Sequence, residues 1–127
     1  MKIEATLNTP EVSFDEFKNV FHCTGRAYSE DAFDFFNKVT LKLLKEIDYS
    51  KDLYLVFGFE YLNTKSIHGL RRLLSEIDTE ELETHILWFY EDDDLDMKET
   101  GYIYKDMFKN MNFTVGITTD VNQIKKV

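Results

Sequence analysis

The chain predicts an α/β domain: a mixed sheet packed with helices, opened by an antiparallel hairpin and continued by strand–helix–strand crossovers. Three observations carry this. Residues 53–59 and 85–90 are apolar on both alternating faces, as central parallel strands are. Longer segments between and around them repeat apolar residues at spacings of three and four, the mark of amphipathic helices. The start of the chain instead alternates around a tight connection, which reads as a hairpin.

Taken in order, Val12-Ser13-Phe14-Asp15 and residues 17–24 form the hairpin strands. In the second of these Phe17, Phe21 and Cys23 share one face, and Lys18, Val20 and His22 the other. Gly25 closes the region. A helix then spans residues 29–47. Ser29 caps it, Glu30 and Asp31 put negative charge where the helix dipole favours it, and Phe33, Phe36, Val39, Leu43, Leu44 and Ile47 make its apolar stripe. After the strand at 53–59, a second helix over 64–78 turns Ile67, Leu70, Leu73, Leu74 and Ile77 inward. The strand at 85–90 leads to a third helix over 94–111, burying Tyr104, Met107, Phe108 and Met111. Phe113, Val115 and Ile117 then line the buried face of a last strand. This order implies parallel neighbours joined by right-handed crossovers, with the hairpin as an antiparallel edge.

Length and charge narrow the function. The 127 residues suit one domain, and no repeat, low-complexity stretch or linker divides them. With 15 Lys+Arg against 24 Asp+Glu, the net charge of −9 argues against nucleic acid and against anionic membranes, both of which need a basic footprint. No apolar run approaches the roughly 20 residues that span a bilayer. Met1-Lys2-Ile3-Glu4-Ala5 lacks the pattern of a signal peptide, so a cytoplasmic protein is expected. One cysteine, Cys23, excludes a disulfide framework and fits a reducing compartment.

The familiar catalytic signatures are missing. The glycines at 25, 58, 69, 101 and 116 form neither a dinucleotide fingerprint nor a phosphate-binding loop, and there is no nucleophile elbow. His22, His68 and His85 lack ligand spacing. In Glu91-Asp92-Asp93-Asp94-Leu95-Asp96, three aspartates match alternate positions of a calcium loop. Met97 stands where that loop needs Gly, however, and Ile103 where it needs a bidentate Glu. The run reads as a solvated acidic loop that caps the third helix, and neither a metal nor a cofactor is expected. A small-ligand or nucleotide-binding module with a metal on this loop is the alternative.

The informative junction is Phe59-Glu60-Tyr61-Leu62-Asn63-Thr64-Lys65-Ser66-Ile67. A central strand ends there and a helix begins, at the carboxyl edge of the sheet where α/β proteins commonly put function. Asn63 is a good cap, which leaves Thr64 in the first turn with its hydroxyl near free backbone amides. A phosphate on Thr64 carries about −1.5 to −2 charge into a place where the dipole and those amides stabilise it. The fold tolerates such a modification, whereas a partner fitted over the edge meets a desolvated charge. A structural reading, in which Asn63, Thr64 and Ser66 only cap the helix, stands beside it. Use of Thr64 as a catalytic nucleophile needs an adjacent base, and Glu60 is the nearest carboxylate in sequence.

At this point the chain resembles the SiaC family of bacterial regulatory phosphoproteins, whose fold is similar to anti-sigma-factor antagonists (STAS-like). The match lies in Gly25-Arg26-Ala27-Tyr28-Ser29-Glu30, Tyr61-Leu62-Asn63-Thr64-Lys65-Ser66 and Trp88-Phe89-Tyr90-Glu91-Asp92-Asp93-Asp94. The resemblance implies a non-enzymatic adaptor. By that resemblance, Thr64 is expected to be phosphorylated by a dedicated protein kinase and dephosphorylated by a PP2C-type phosphatase, and the unmodified form is implied to bind and activate a diguanylate cyclase. Ala27 stands where relatives often carry Ser, and Ser29 where Pro is frequent. Tyr61, Asn63, Lys65 and Ser66, with Arg26 and Tyr28, then form the helix cap and partner-binding edge. Arg26 is expected to pair with the acidic loop or to reach toward Thr64.

Overall fold

A computed structural model describes residues 1–124. Six strands form one sheet: β1 (Lys2–Ile3), β2 (Glu11–Asp15), β3 (Val20–Ala27), β4 (Leu53–Leu62), β5 (Thr84–Glu91) and β6 (Asn112–Thr118). They lie side by side in chain order. β1, β2 and β3 are antiparallel and β3 to β6 are parallel, so the mixed sheet with its β2–β3 hairpin is as expected, while β1 is a sixth strand at the edge that the sequence reading did not include. The parallel strands are joined by α1 (Ala32–Glu46), α2 (Thr64–Asp78) and α3 (Leu95–Met107).

The register explains why the middle strands are apolar on both sides. Phe21, Leu55, Ile86 and Phe113 form one row beneath the helices, and Cys23, Phe57, Trp88 and Val115 the next. The opposite face carries the row His22, Val56, Leu87 and Thr114. α1 packs along α2, where the hydrogen-only side of Gly69 admits the Phe36 ring. An added Cβ there would lie 2.9 Å from Phe36 Cβ. α3 covers β5 and β6, Trp88 Nε1 donates to the Met97 carbonyl at 3.1 Å, and the Tyr104 hydroxyl donates to the Ile67 carbonyl at 2.6 Å. Past β6, a single 3-10 turn (Val121–Gln123) folds over the other face, with Val121 fully buried and Ile124 set against Gly58.

Several expectations are corrected. Phe17 is not a strand residue. It sits 90% exposed in a turn whose Phe17 and Lys18 amides both bond to Asp15 Oδ1, and Asn19 completes the reversal with φ 58°, a left-handed conformation that Asn tolerates. The strand therefore starts at Val20 and runs through Gly25, which takes φ 118° where the register shifts between Gly25 and Arg26. Ser29 does not cap α1. Asp31 holds the N-cap position without a side-chain bond, while Ser29 Oγ accepts the Asp31 amide in a preceding turn. α3 stops at Met107, because Phe108 caps it, and Met107 is 48% exposed rather than buried. Ile117, at the far end of the edge strand β6, is 59% exposed.

Candidate functional site

Asn63 is the single residue between β4 and α2. Its backbone is extended, and its Oδ1 accepts the Ser66 amide at 2.8 Å, the bond expected of an N-cap. Its other side-chain atom does a second job: Nδ2 donates to the Ser29 carbonyl at 3.0 Å. The Asn63 amide donates to the Ala27 carbonyl at 2.9 Å, and the buried Ser66 hydroxyl donates to that same oxygen at 2.7 Å. Lys65 Nζ reaches the Glu30 carbonyl at 3.1 Å and its carboxylate at 3.5 Å. The start of α2 is thus fastened to the β3–α1 connection by polar groups on both sides. None of these bonds uses the Thr64 hydroxyl. Thr64 is the first residue of α2 and is exposed.

Arg26 and Tyr61 are register partners on β3 and β4, and the Tyr28 and Tyr61 rings meet edge to face at 5.9 Å with both residues partly in solvent. The predicted edge residues therefore converge on one corner of the sheet. Arg26 does not pair with the acidic loop as one expectation had it. Its Nε donates to Glu60 Oε2 at 2.6 Å, because the bulge beside Gly25 turns it toward the neighbouring strand end. That carboxylate, with a smaller contribution from Tyr28, holds the guanidinium further above its usual range. Glu60 in turn lies below the ordinary glutamate range, through its bonds from Arg26 first and Asn122 second. Asn122 Nδ2 donates to Glu60 Oε1 at 2.6 Å. Both Glu60 oxygens are engaged, so Glu60 is not placed to serve Thr64 as a base.

The acidic loop has its own work. Asp94 Oδ1 accepts the Met97 amide at 3.1 Å and caps α3, while Glu91 Oε2 accepts the Val121 amide at 3.1 Å and holds the C-terminal turn. Among the described residues no group of three or more His, Cys, Asp or Glu is arranged to hold a metal ion. The histidines lie apart: His22 is buried on the sheet's second face, His68 is exposed on α2, and His85 stacks on Tyr54 and contacts Asp52 at 3.0 Å. No helix is long and apolar enough to cross a membrane among the described residues.

Sequence reasoning weighed Glu60 as a base for Thr64 and Glu30 as a charge at the helix start, not as parts of this corner, and it passed over Asn122. Glu60 was visible as a charge at the end of an apolar strand. Asn122 left no signal, since its link to Glu60 joins residues 62 positions apart.

Sheet order and the polar strand–helix junction define the class: a mixed α/β domain whose distinctive surface is the carboxyl edge of its sheet. Within that class, the model of SiaC family regulatory phosphoproteins matches residues 3–117, and the chain belongs to that family. Solved structures share the fold. A chain in the crystal structure of the diguanylate cyclase SiaD in complex with its activator SiaC from Pseudomonas aeruginosa aligns with a TM-score of 0.81 at 20% identity, covering 93% of this chain and 99% of that one. Apo-SiaC from the same organism aligns with a TM-score of 0.71 at 22% identity, covering 93% of this chain and 97% of that one. No curated protein matches the chain.

Proposed function

We propose that this chain is a non-enzymatic, cytoplasmic adaptor acting as one domain, whose docking edge is switched by phosphorylation of Thr64. The observation that carries the proposal is the division of labour at the junction. Asn63 and Ser66 hold α2 in place, while Thr64, between them, stays exposed and outside that network. A phosphate there gains the helix dipole and the first-turn amides without breaking a structural bond. Tyr28, Tyr61, Arg26 and Lys65 frame the place where a partner would meet the new charge. A protein kinase and a PP2C-type phosphatase act on Thr64, and the unmodified form binds and activates a diguanylate cyclase, a partner supported by the activator role of the P. aeruginosa relative. No observation favours the nucleotide- or metal-binding alternative.

The test is to incubate the protein with ATP and a candidate protein kinase from the same genome and to map the product by mass spectrometry. Phosphate is expected on Thr64 and absent from Thr64→Ala. Equal modification of the Thr64→Ala variant would overturn the assignment.

A further inference from the structure

We propose that the C-terminal turn is a strap that positions Arg26: through Asn122 and Glu60 it fixes the direction of the guanidinium at the corner where Tyr28 and Tyr61 meet. This deepens the adaptor function proposed above and rests on it, since Arg26 is one of the groups a partner meets there.

The strap is seated where the sheet has no side chain to offer. Gly58 lies in β4 on the face away from the helices, and an added Cβ there would meet Val121 Cβ at 3.2 Å and Ile124 Cδ1 closer still. Val121 fills that notch and is fully buried. The turn crosses β3, β4 and β5, and among the described residues no strand pairs with it. Polar bonds to side chains of the sheet hold it instead. The Val121 amide donates to Glu91 Oε2 at 3.1 Å, and Asn122 Nδ2 donates to Glu60 Oε1 at 2.6 Å. Within the turn, Asp120 Oδ1 accepts the Asn122 amide at 2.9 Å and its carbonyl accepts the Gln123 amide at 3.0 Å, which sets the backbone that aims Asn122 at Glu60.

What the strap governs is the geometry of an exposed ion pair. The Arg26 and Glu60 side chains are 52% and 33% exposed and meet at 2.6 Å, Nε to Oε2. Such a pair is loosely held when it stands alone, because both long side chains keep their rotamers and water competes for each end. Asn122 changes this. With Oε1 taken by Asn122 and Oε2 by Arg26, the Glu60 carboxylate is gripped at both oxygens and cannot rotate away from the guanidinium. The Glu60 carboxyl agrees: after the bond from Arg26, the bond from Asn122 is the largest cause that keeps it below the ordinary range. An arginine fixed before its partner arrives is spared the ordering cost of a side chain with many rotamers.

Two features make this a property of the chain's own C-terminal segment. The family match ends at residue 117, so every residue of the strap lies beyond it. The strap also ties together two stretches that do not pair directly. Glu91, which opens the acidic run, holds Val121, and the next residue holds the carboxylate to which Arg26 is bonded.

The test separates positioning from support. Asn122→Ala removes the link to Glu60 and leaves Val121 seated, so the melting curve should stay close to wild type. In NMR spectra the Arg26 Nε–Hε signal should shift and exchange with water about threefold faster or more, and the Glu60 carboxyl should titrate nearer its ordinary value of 4.5. Asn122→Asp, which keeps the shape of the side chain and loses the donor, should act alike. The second arm measures affinity for the diguanylate cyclase that binds the unmodified chain. Arg26→Ala and Asn122→Ala should each weaken it by about threefold or more, and the double variant should bind no more weakly than Arg26→Ala, because Asn122 acts only through Arg26. An Arg26 signal unchanged in both Asn122 variants overturns the strap. So do additive losses in the double variant, or a cyclase that binds wild type and either single variant equally, and both leave the switch at Thr64 standing. A displaced Arg26 signal with no cyclase bound by the wild type supports the strap and removes the cyclase.

Discussion

Asn63 and Thr64 are neighbours with opposite demands on them. Asn63 gives both ends of its side chain to the fold, so Asn63→Ala loses the cap and the bond to Ser29 and should cost about 1–2 kcal/mol in a denaturant melt. Thr64→Ala removes an exposed hydroxyl outside that network and should leave the melt within about 0.5 kcal/mol of wild type. Thr64→Glu should weaken the partner complex while Thr64→Ala preserves it, and equal affinity of the two would rule out a charge mechanism. Glu60 adds a pH dependence. Its folded carboxyl lies below the ordinary value of 4.5, so the stabilisation from Arg26 and Asn122 is fully present above that value. It is lost as pH falls through the lower folded value, because the unfolded chain takes up the proton first. Glu60→Gln should flatten this acid limb of the stability profile in a pH series of melts. The capping role of Asn63 was legible in the sequence, since it depends on neighbours two or three positions away. The Arg26–Glu60–Asn122 chain was not, since it needs three distant strand and turn ends brought together.

At the scale of elements, close helix contacts depend on missing side chains. Gly101 in α3 faces the Trp88 ring, and a Cβ there would lie 2.5 Å from Trp88 Cδ1. Gly101→Ala gains helix propensity of up to about 1 kcal/mol but must displace that ring or the helix, so a net loss of about 1–3 kcal/mol is expected. Trp88 is the chain's one tryptophan, and a shift in its fluorescence should report the displacement directly. The long periodic elements were readable: α2 runs from Thr64 to Asp78 as its pattern predicts, and β4 and β5 were expected as central strands. The ends were less so. Phe17 looks like a strand residue by composition, but Asp15 bonds two successive amides and turns the chain first. Met107 sits in the right period for burial, yet α3 ends there and its side chain faces solvent.

Across the whole molecule, the helices protect one face of the sheet and the C-terminal turn partly protects the other. Cys23 lies in the central row beneath the helices, and burial pushes its thiol well above the usual range. It should resist thiol reagents in the native protein and react at a rate set by unfolding, which makes its labelling a measure of global opening. The chain's own order of residues determined the class of fold, the central strands, the helix stripes and the Asn63–Thr64 junction. Each of these rests on contacts between residues close in sequence, where period and capping act directly. Tertiary structure alone decided which strand ends meet, that Glu60 rather than the acidic loop receives Arg26, that the C-terminal turn docks on Gly58, and that Leu41 is left in solvent. Those outcomes depend on how twisted strands and packed helices divide a limited interior among themselves, and no local pattern records that division.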